Sequence, residues 1–402
     1  MIRILTFVYI VTFLGMASPA ILLVLLVRIL PPSAYGQLAA VQGVALFLSV
    51  FADLGLTYSG AAALAKSRRD PEALGAVVSS GLALRALAAA VASGIALPAL
   101  TANPTLSGHV LLPYLGAVLT LAYALSPAWV LWGLDRQRTL ALAEHTPRVL
   151  LLILTSGFLI IGTKLKPENV LMLQIVGLVG VYITLWIYVL PNFRLRVPKM
   201  QCLLALGRDS LLLFSYRFLA AGFTYLNPYV LGLACSAEVV GIFAAVEKVV
   251  RAGLQLFEPL LRYYLPKLGT GGVRLERQLL TRLAVLAAGF WLVLQLIAGP
   301  LLAIVLGPRY INGASDIGRV FFLLSLLLFL HPLSKALLLS GVFARSQTSR
   351  ALVLEALALS TFIVAVTMLL YTGNMRPDTL AATLVGVEAL LLILSATARG
   401  NT

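Results

Sequence analysis

The chain has 402 residues, of which 60% are hydrophobic and only 11% charged. A soluble globular surface needs about a quarter of all residues charged, so that class is excluded and a chain with a large lipid-facing surface is implied. The formal net charge of +15 would suit a soluble nucleic-acid binder, but no polar domain carries the basic and aromatic stripe such binding needs, and nucleic acid is excluded as a partner.

The apolar residues fall in runs of roughly 18 to 25, enough to cross a hydrocarbon core about 30 Å thick as helix. In chain order the runs predict spans at 4–27, 36–58, 74–98, 109–132, 148–163, 169–190, 205–231, 239–262, 281–306, 315–341, 350–371 and 379–397. The first run, from Ile4 to Val27, exceeds the roughly 7–15 residues of a secretory h-region and follows the single Arg3, so it reads as a retained helix. The expected fold class is all-α: a polytopic membrane protein of about twelve transmembrane helices.

Lysine and arginine assign an orientation, because basic loops stay in the cytoplasm. With both termini inside, the inner segments hold Arg3; Lys66, Arg68 and Arg69; Arg136, Arg138 and Arg148; Arg194, Arg196, Lys199 and Arg208; Arg262, Lys267, Arg274, Arg277 and Arg282; Arg345 and Arg350; and Arg399. That is 19 of the 30 basic residues, against five outside: Arg28, Lys164, Lys166, Arg309 and Arg376. The positive charge is therefore largely topological, and it faces anionic lipid headgroups.

An internal repeat divides the chain. Tyr35-Gly36-Gln37-Leu38-Ala39-Ala40-Val41 aligns with Val240-Gly241-Ile242-Phe243-Ala244-Ala245-Val246 at an offset of 205, and in that register Asp53 falls on Glu258. The offset is about half the length, which predicts two pseudo-symmetric six-helix lobes, residues 1–190 and 205–402, joined by a cytoplasmic linker at 191–204. Pro19 and Pro228 interrupt corresponding spans of the two halves, a pattern that marks either a transport pathway or a packed, kinked helix.

Ionisable residues inside the spans carry the chemistry. Each costs about 2.5–3.5 kcal/mol near the bilayer centre and so faces a cavity or a partner. Asp53, Arg85, Arg217, Glu247, Lys248, Arg251, Glu258, Lys335, Glu355 and Glu388 are such residues. Glu247, Arg251 and Glu258 share one face of the eighth span; an internal Glu247–Arg251 ion pair is the structural reading of that spacing. Arg217, Lys248, Arg251 and Lys335, extended by Arg85, are the expected cationic lining for an anionic, phosphate-bearing cargo. Asp53, Glu247, Glu258 and Glu355 are the expected counter-ions or coupling-ion carriers.

A family resemblance joins these features. Ser126-Pro127-Ala128-Trp129 through Gly133-Leu134-Asp135-Arg136, then Arg148, resembles the helix 4–5 region of Wzx-type polysaccharide-biosynthesis flippases of the multidrug/oligosaccharidyl-lipid/polysaccharide exporter superfamily. Ala52-Asp53-Leu54-Gly55-Leu56 and Val240-Gly241 through Glu247-Lys248 to Pro259 resemble that family's helix 2 and helix 8 patterns. One departure is Ser59-Gly60-Ala61-Ala62-Ala63, where the family often carries a basic residue.

The resemblance implies a flippase in the bacterial inner membrane that moves an undecaprenyl-pyrophosphate-linked oligosaccharide, an O-antigen or exopolysaccharide unit, by alternating access. It also implies membrane lipids, a polysaccharide polymerase and a chain-length regulator as partners. The alternatives are a drug/cation antiporter of the same superfamily, which favours an acidic or aromatic cavity, and a membrane polymerase or ligase, which needs a large periplasmic loop.

Enzyme signals are missing. His109, His145 and His331 lie far apart without metal-ligand spacing, and no Gly-rich phosphate loop is present. The sequence thus predicts no enzyme activity, no metal and no cofactor. Cys202 and Cys235 fall on opposite sides in the predicted topology, which disfavours a disulfide between them.

Overall fold

The structure, a computed structural model, describes residues 2–162, 164–195, 197–198, 200–311, 316–345 and 348–400, with side chains at all of these except 2–9, 192, 262–276, 339–345, 348 and 398–400. Of the basic residues used for orientation, Arg196 and Lys199 lie outside the described residues. So do the side chains of Arg3, Arg262, Lys267, Arg274, Arg345 and Arg399.

All regular structure among the described residues is helical. The longer helices are α1 (Ile2–Ile29), α2 (Pro32–Asp53), α3 (Pro71–Thr101), α4 (Leu111–Ala124), α5 (Gln137–Ile160), α6 (Pro167–Val189), α7 (Met200–Tyr225), α8 (Ala237–Gln255), α9 (Glu258–Leu296), α10 (Leu327–Arg345), α11 (Thr348–Tyr371) and α12 (Pro377–Gly400). Nine helical segments among the described residues are long and apolar enough to cross a membrane. The expected spans on α5, α7 and α8 are helical but fall outside those nine. These helices carry Arg138, Glu144 and Arg148, then Arg208, Asp209 and Arg217, then Glu238, Glu247, Lys248 and Arg251. Charge lowers their hydropathy below that of the other nine, while they still form the helices that the sequence predicts.

Several boundaries differ from expectation. The stretch between the eighth and ninth spans, expected as an inner loop, is part of the continuous 39-residue α9. Its Leu275-Glu276-Arg277-Gln278-Leu279-Leu280 run consists of good helix formers, whereas Pro266 and Gly269-Thr270-Gly271-Gly272 disfavour helix, so the expected loop followed from local propensity that the continuous helix overrides. The expected span at 205–231 stops at Tyr225, and Pro228 opens a separate short helix, Asn227–Leu231, instead of kinking α7. Proline is tolerated in a first turn, where its missing N–H has no helical partner anyway. The expected span at 109–132 is likewise broken: α4 ends before Ser126-Pro127, and a short helix, Ala128–Gly133, follows. The run at 315–341 is divided between Ile317–Ser325 and α10. Pro19 does lie inside α1.

The chain forms two compact units that do not follow its linear order. The first comprises residues 1–22 and 37–221; the second comprises 23–36 and 222–402. Most of α7 therefore belongs to the first unit, and the end of α1 with the start of α2 belongs to the second. Within the first unit an aromatic ladder accounts for the placement of α7. Phe47 meets Phe218 with ring centroids 4.8 Å apart, and Phe51 meets Phe214 at 5.8 Å and Phe218 at 5.9 Å. Phe47 and Phe51 are four residues apart, as are Phe214 and Phe218, so each pair lies on one helical face.

Within the second unit, the starts of α2 and α8 meet through two glycines. A Cβ on Gly36 would overlap the Ala237 carbonyl oxygen, and one on Gly241 would overlap that of Pro32. The contact is reciprocal, because Pro32 and Ala237, like Gly36 and Gly241, are 205 positions apart. Close backbone approach through small residues is how helices associate within lipid.

Candidate functional site

The charged residues gather into separate groups, one of them in the first unit around Asp53. Asp53 closes α2, and the next two residues adopt left-handed backbone, Leu54 at φ 47° and Gly55 at φ 73°, which a right-handed helix cannot contain. Glycine is required at 55 twice over, since a Cβ there would stand 3.0 Å from both the Phe214 amide nitrogen and the Ser210 carbonyl oxygen. The turn leaves the Asp53 carboxylate buried beside α3 and α7. Arg217 Nη1 donates to Asp53 Oδ2 at 2.7 Å, Arg85 Nη2 lies 3.5 Å from Oδ1, and the Thr57 hydroxyl donates to Oδ1 at 2.7 Å. One carboxylate thus sits between two guanidiniums, and the group keeps a net positive charge.

The break in α4 completes this arrangement. Proline disfavours helix at the residue before it, so Ser126-Pro127 interrupts the helix and frees backbone carbonyls. Arg85 Nη1 donates to the Ser126 carbonyl at 2.8 Å, and Trp186 Nε1 donates to that of Leu125 at 2.6 Å. The Arg85 Nε is buried without a partner among the described residues. Arg217 is more open, with its side chain 32% exposed and its guanidinium 5.4 Å from the centre of the Tyr58 ring. Arg85 is therefore buried and held through both Nη atoms, whereas Arg217 is accessible and offers donor capacity to an incoming anion.

In the second unit the remaining cations each have their own partner. Arg251 reaches Glu247 Oε1 through Nη2 at 2.6 Å and Nε at 3.2 Å, and donates from Nη2 to the Thr224 carbonyl. Asn227 Nδ2 donates to the same carboxylate oxygen at 2.6 Å. This is the i, i+4 pair expected from spacing, with an amide added from the short helix after α7. Lys248 lies on the adjacent face, 5.1 Å from the centre of the Tyr35 ring. Lys335 of α10 is ion-paired with Glu258 of α9. Glu355, 3% exposed, has its Oε2 buried without a hydrogen-bond partner among the described residues. Glu388 accepts from the Ser334 hydroxyl and lies 3.2 Å from His331 Nδ1.

The family model of polysaccharide biosynthesis proteins matches residues 4–266, more than half of the chain. The chain belongs to that family. No curated protein matches the sequence. Among solved structures, this polysaccharide biosynthesis protein is similar to the lipid II flippase MurJ in its inward closed conformation. The two share 11% identity over 100% of this chain and 88% of MurJ, with a TM-score of 0.77. It is also similar to an inward-facing multidrug resistance MATE family transporter of the MOP superfamily, at 13% identity over 97% of this chain and 94% of the other, with a TM-score of 0.67. A third similar structure is the MATE multidrug transporter DinF-BH, at 13% identity over 98% of this chain and 95% of the other, with a TM-score of 0.63. These likenesses establish the fold, an all-helical polytopic membrane fold.

For this family member, the sequence selected Asp53, Arg85 and Arg217, and the fold brings all three together. It does not join Lys335 to Lys248 or Arg251 through a shared carboxylate. Thr57, Tyr58, Tyr35, Asn227 and Ser334 escaped the sequence reading because uncharged polar and aromatic side chains are common in membrane helices. The Asp-Leu-Gly turn was the available signal for Thr57 and Tyr58, and the Asn-Pro break after α7 was the signal for Asn227.

Proposed function

We propose that this protein is a flippase that carries an undecaprenyl-pyrophosphate-linked oligosaccharide, an O-antigen or exopolysaccharide unit, from the cytoplasmic to the periplasmic leaflet of the bacterial inner membrane. Both termini are cytoplasmic in this reading. In this reading the chain has two repeat-related lobes, 1–190 and 205–402, linked by 191–204, and works by alternating access. Membership of the polysaccharide biosynthesis family supports the cargo class. The basic bias of alternate loops supports the orientation.

The observation that carries the reading is the group of two guanidiniums on one carboxylate, Arg85 and Arg217 on Asp53. A buried carboxylate needs one cation for neutrality. The second leaves positive charge in an apolar segment, which favours an anionic headgroup such as a diphosphate. Arg217 presents the forked donors, and Arg85 and Asp53 hold it in place. Lys248, Arg251 and Lys335 are further cargo-binding residues in this reading. Glu247 and Glu258 serve as their counter-ions, and Glu355 as a carrier for a coupling ion. A polysaccharide polymerase and a chain-length regulator act downstream as partners, and the chain itself performs no catalysis.

The test is a deletion strain with sugar synthesis and polymerase intact. Lipid-linked repeat units accumulate on the cytoplasmic leaflet, and a plasmid-borne copy restores surface polysaccharide. Arg217→Ala does not restore it although the protein inserts normally. Normal surface polysaccharide in the deletion strain would overturn the reading. Loss of dye or drug efflux in its place would assign the protein to cation export.

A further inference from the structure

Beside the Asp53 group, and within the same unit, lies a cavity of about 330 Å³ lined by Thr57, Tyr58, Arg68, Trp132 and Asp135 with alanines of the short helix Ser59–Lys66. Its composition is unlike that of a lipid-facing surface, since Arg68 and Asp135 would not be placed against hydrocarbon. Trp132 and Tyr58 are each 42% exposed and meet edge to face, with centroids 5.3 Å apart. In an aromatic belt such rings anchor an outer surface at the headgroup level. Here they rim a concavity together with a carboxylate, a guanidinium and a hydroxyl.

The local backbone is built to hold this rim. Asp135 has φ 60°, an uncommon conformation for a residue with a side chain, and bonds from the Asp135 amide to the Trp132 carbonyl and from the Arg136 amide to the Leu131 carbonyl, both 2.9 Å, fix the turn. Arg68 Nε donates to the Gly133 carbonyl at 2.9 Å, which anchors the guanidinium beside the turn. The Asp135 carboxylate accepts from Gln137 Nε2 at 2.9 Å and retains further acceptor capacity.

A sugar ring matches this set of groups. Its C–H face is apolar with outward-pointing, weakly positive hydrogens, which suit the negative face of an indole or phenol ring. Its hydroxyls are both donors and acceptors, which suit a carboxylate, a guanidinium and a threonine hydroxyl together. An organic cation would use the rings and Asp135 but would be opposed by Arg68. Tyr58 also joins the cavity to the cationic group, since its ring lies under the Arg217 guanidinium.

We propose that this cavity is the saccharide subsite of the cargo: Trp132 and Tyr58 stack on the first sugar, Asp135 and Arg68 bind its hydroxyls, and Arg217 holds the adjoining diphosphate. The inference rests on the flippase reading and adds to it the residues that discriminate the glycan.

The experiment measures binding to the purified full-length protein in nanodiscs by calorimetry, with farnesyl diphosphate and the same diphosphate bearing one N-acetylglucosamine as probes. The wild type binds the glycosylated probe about tenfold more tightly, the scale of one buried aromatic contact with its hydrogen bonds. Trp132→Ala removes that preference and leaves farnesyl diphosphate binding unchanged. Asp135→Gly, which suits the positive φ and so keeps the turn, lowers the preference in the same way. If the wild type shows no preference, or both variants keep it, the saccharide subsite is refuted while the flippase reading stands. If neither probe binds the wild type at all, the flippase reading itself fails. Binding of a cationic rhodamine dye that is lost in Trp132→Ala, without any glycan preference in the wild type, would assign the cavity to organic cations and overturn the proposal.

Discussion

Asp53→Asn keeps the size and shape of the side chain at the centre of the first unit's charged group, removes its charge and turns one acceptor oxygen into a donor among donors. At 2.7 and 3.5 Å, each Arg–Asp contact has a gross Coulomb attraction of about 5 to 6 kcal/mol at an effective dielectric constant near 20. Desolvation cancels most of this, which leaves a net of about 1.5–3 kcal/mol for a bond to a charged group. The substitution costs more than that net value, because Arg85 is 6% exposed and remains buried without a counter-charge. Breaking one side of a buried pair costs about 3–5 kcal/mol. Removing the stranded cation as well should recover part of the loss, so Asp53→Asn/Arg85→Met is expected to be more stable than Asp53→Asn alone by about 2 kcal/mol. The assay is thermal or denaturant unfolding of the purified protein in detergent, followed by tryptophan fluorescence, with membrane abundance as a second readout. Wild-type stability in Asp53→Asn, or a double variant no better than the single, would refute the claim that Asp53 neutralises a buried guanidinium.

Three further outcomes follow from other parts of the molecule. Gly36→Ala and Gly241→Ala each drive a methyl group into a facing carbonyl and should cost about 1–3 kcal/mol, and because they share one contact the double variant should cost less than the sum, measured by the same unfolding assay. Glu247→Ala strands the Arg251 guanidinium and the Asn227 amide and should lower stability by about 2–4 kcal/mol, with Glu247→Ala/Arg251→Ala less affected; equal losses in both would show that the carboxylate does not serve as their counter-charge. A fluorescent-protein fusion after Thr402 should fluoresce and an alkaline phosphatase fusion there should be inactive, and the reverse result would invert the orientation drawn from the basic loops.

Much of the site was legible before folding because charge is conspicuous in an apolar chain. Asp53, Arg85 and Arg217 stand out by cost alone, and the Glu247–Arg251 pair follows from helical spacing. The choice of partner was not legible. Lys335 meets Glu258, 77 positions away, and Arg217 meets Asp53, 164 positions away, through packing between helices that no single-helix periodicity records. The helix breaks at Ser126-Pro127 and after Tyr225 were partly visible as prolines, but that Arg85 caps the freed Ser126 carbonyl depends on α3 passing beside the break.

The sequence by itself determined the solvent and the class of the protein: apolar runs of membrane-crossing length, a repeat at half the chain, and a few charges whose cost demands partners. It determined the positions of helices even where charge lowers their hydropathy, because helix formation is local. Tertiary structure decided membership and pairing. The Phe47, Phe51, Phe214 and Phe218 ladder draws most of α7 into the first unit, and the face-to-face glycines 36 and 241 hold the start of α2 against α8 in the second. Those choices depend on shape complementarity between distant segments, and they make Asp53 a shared anchor for two arginines.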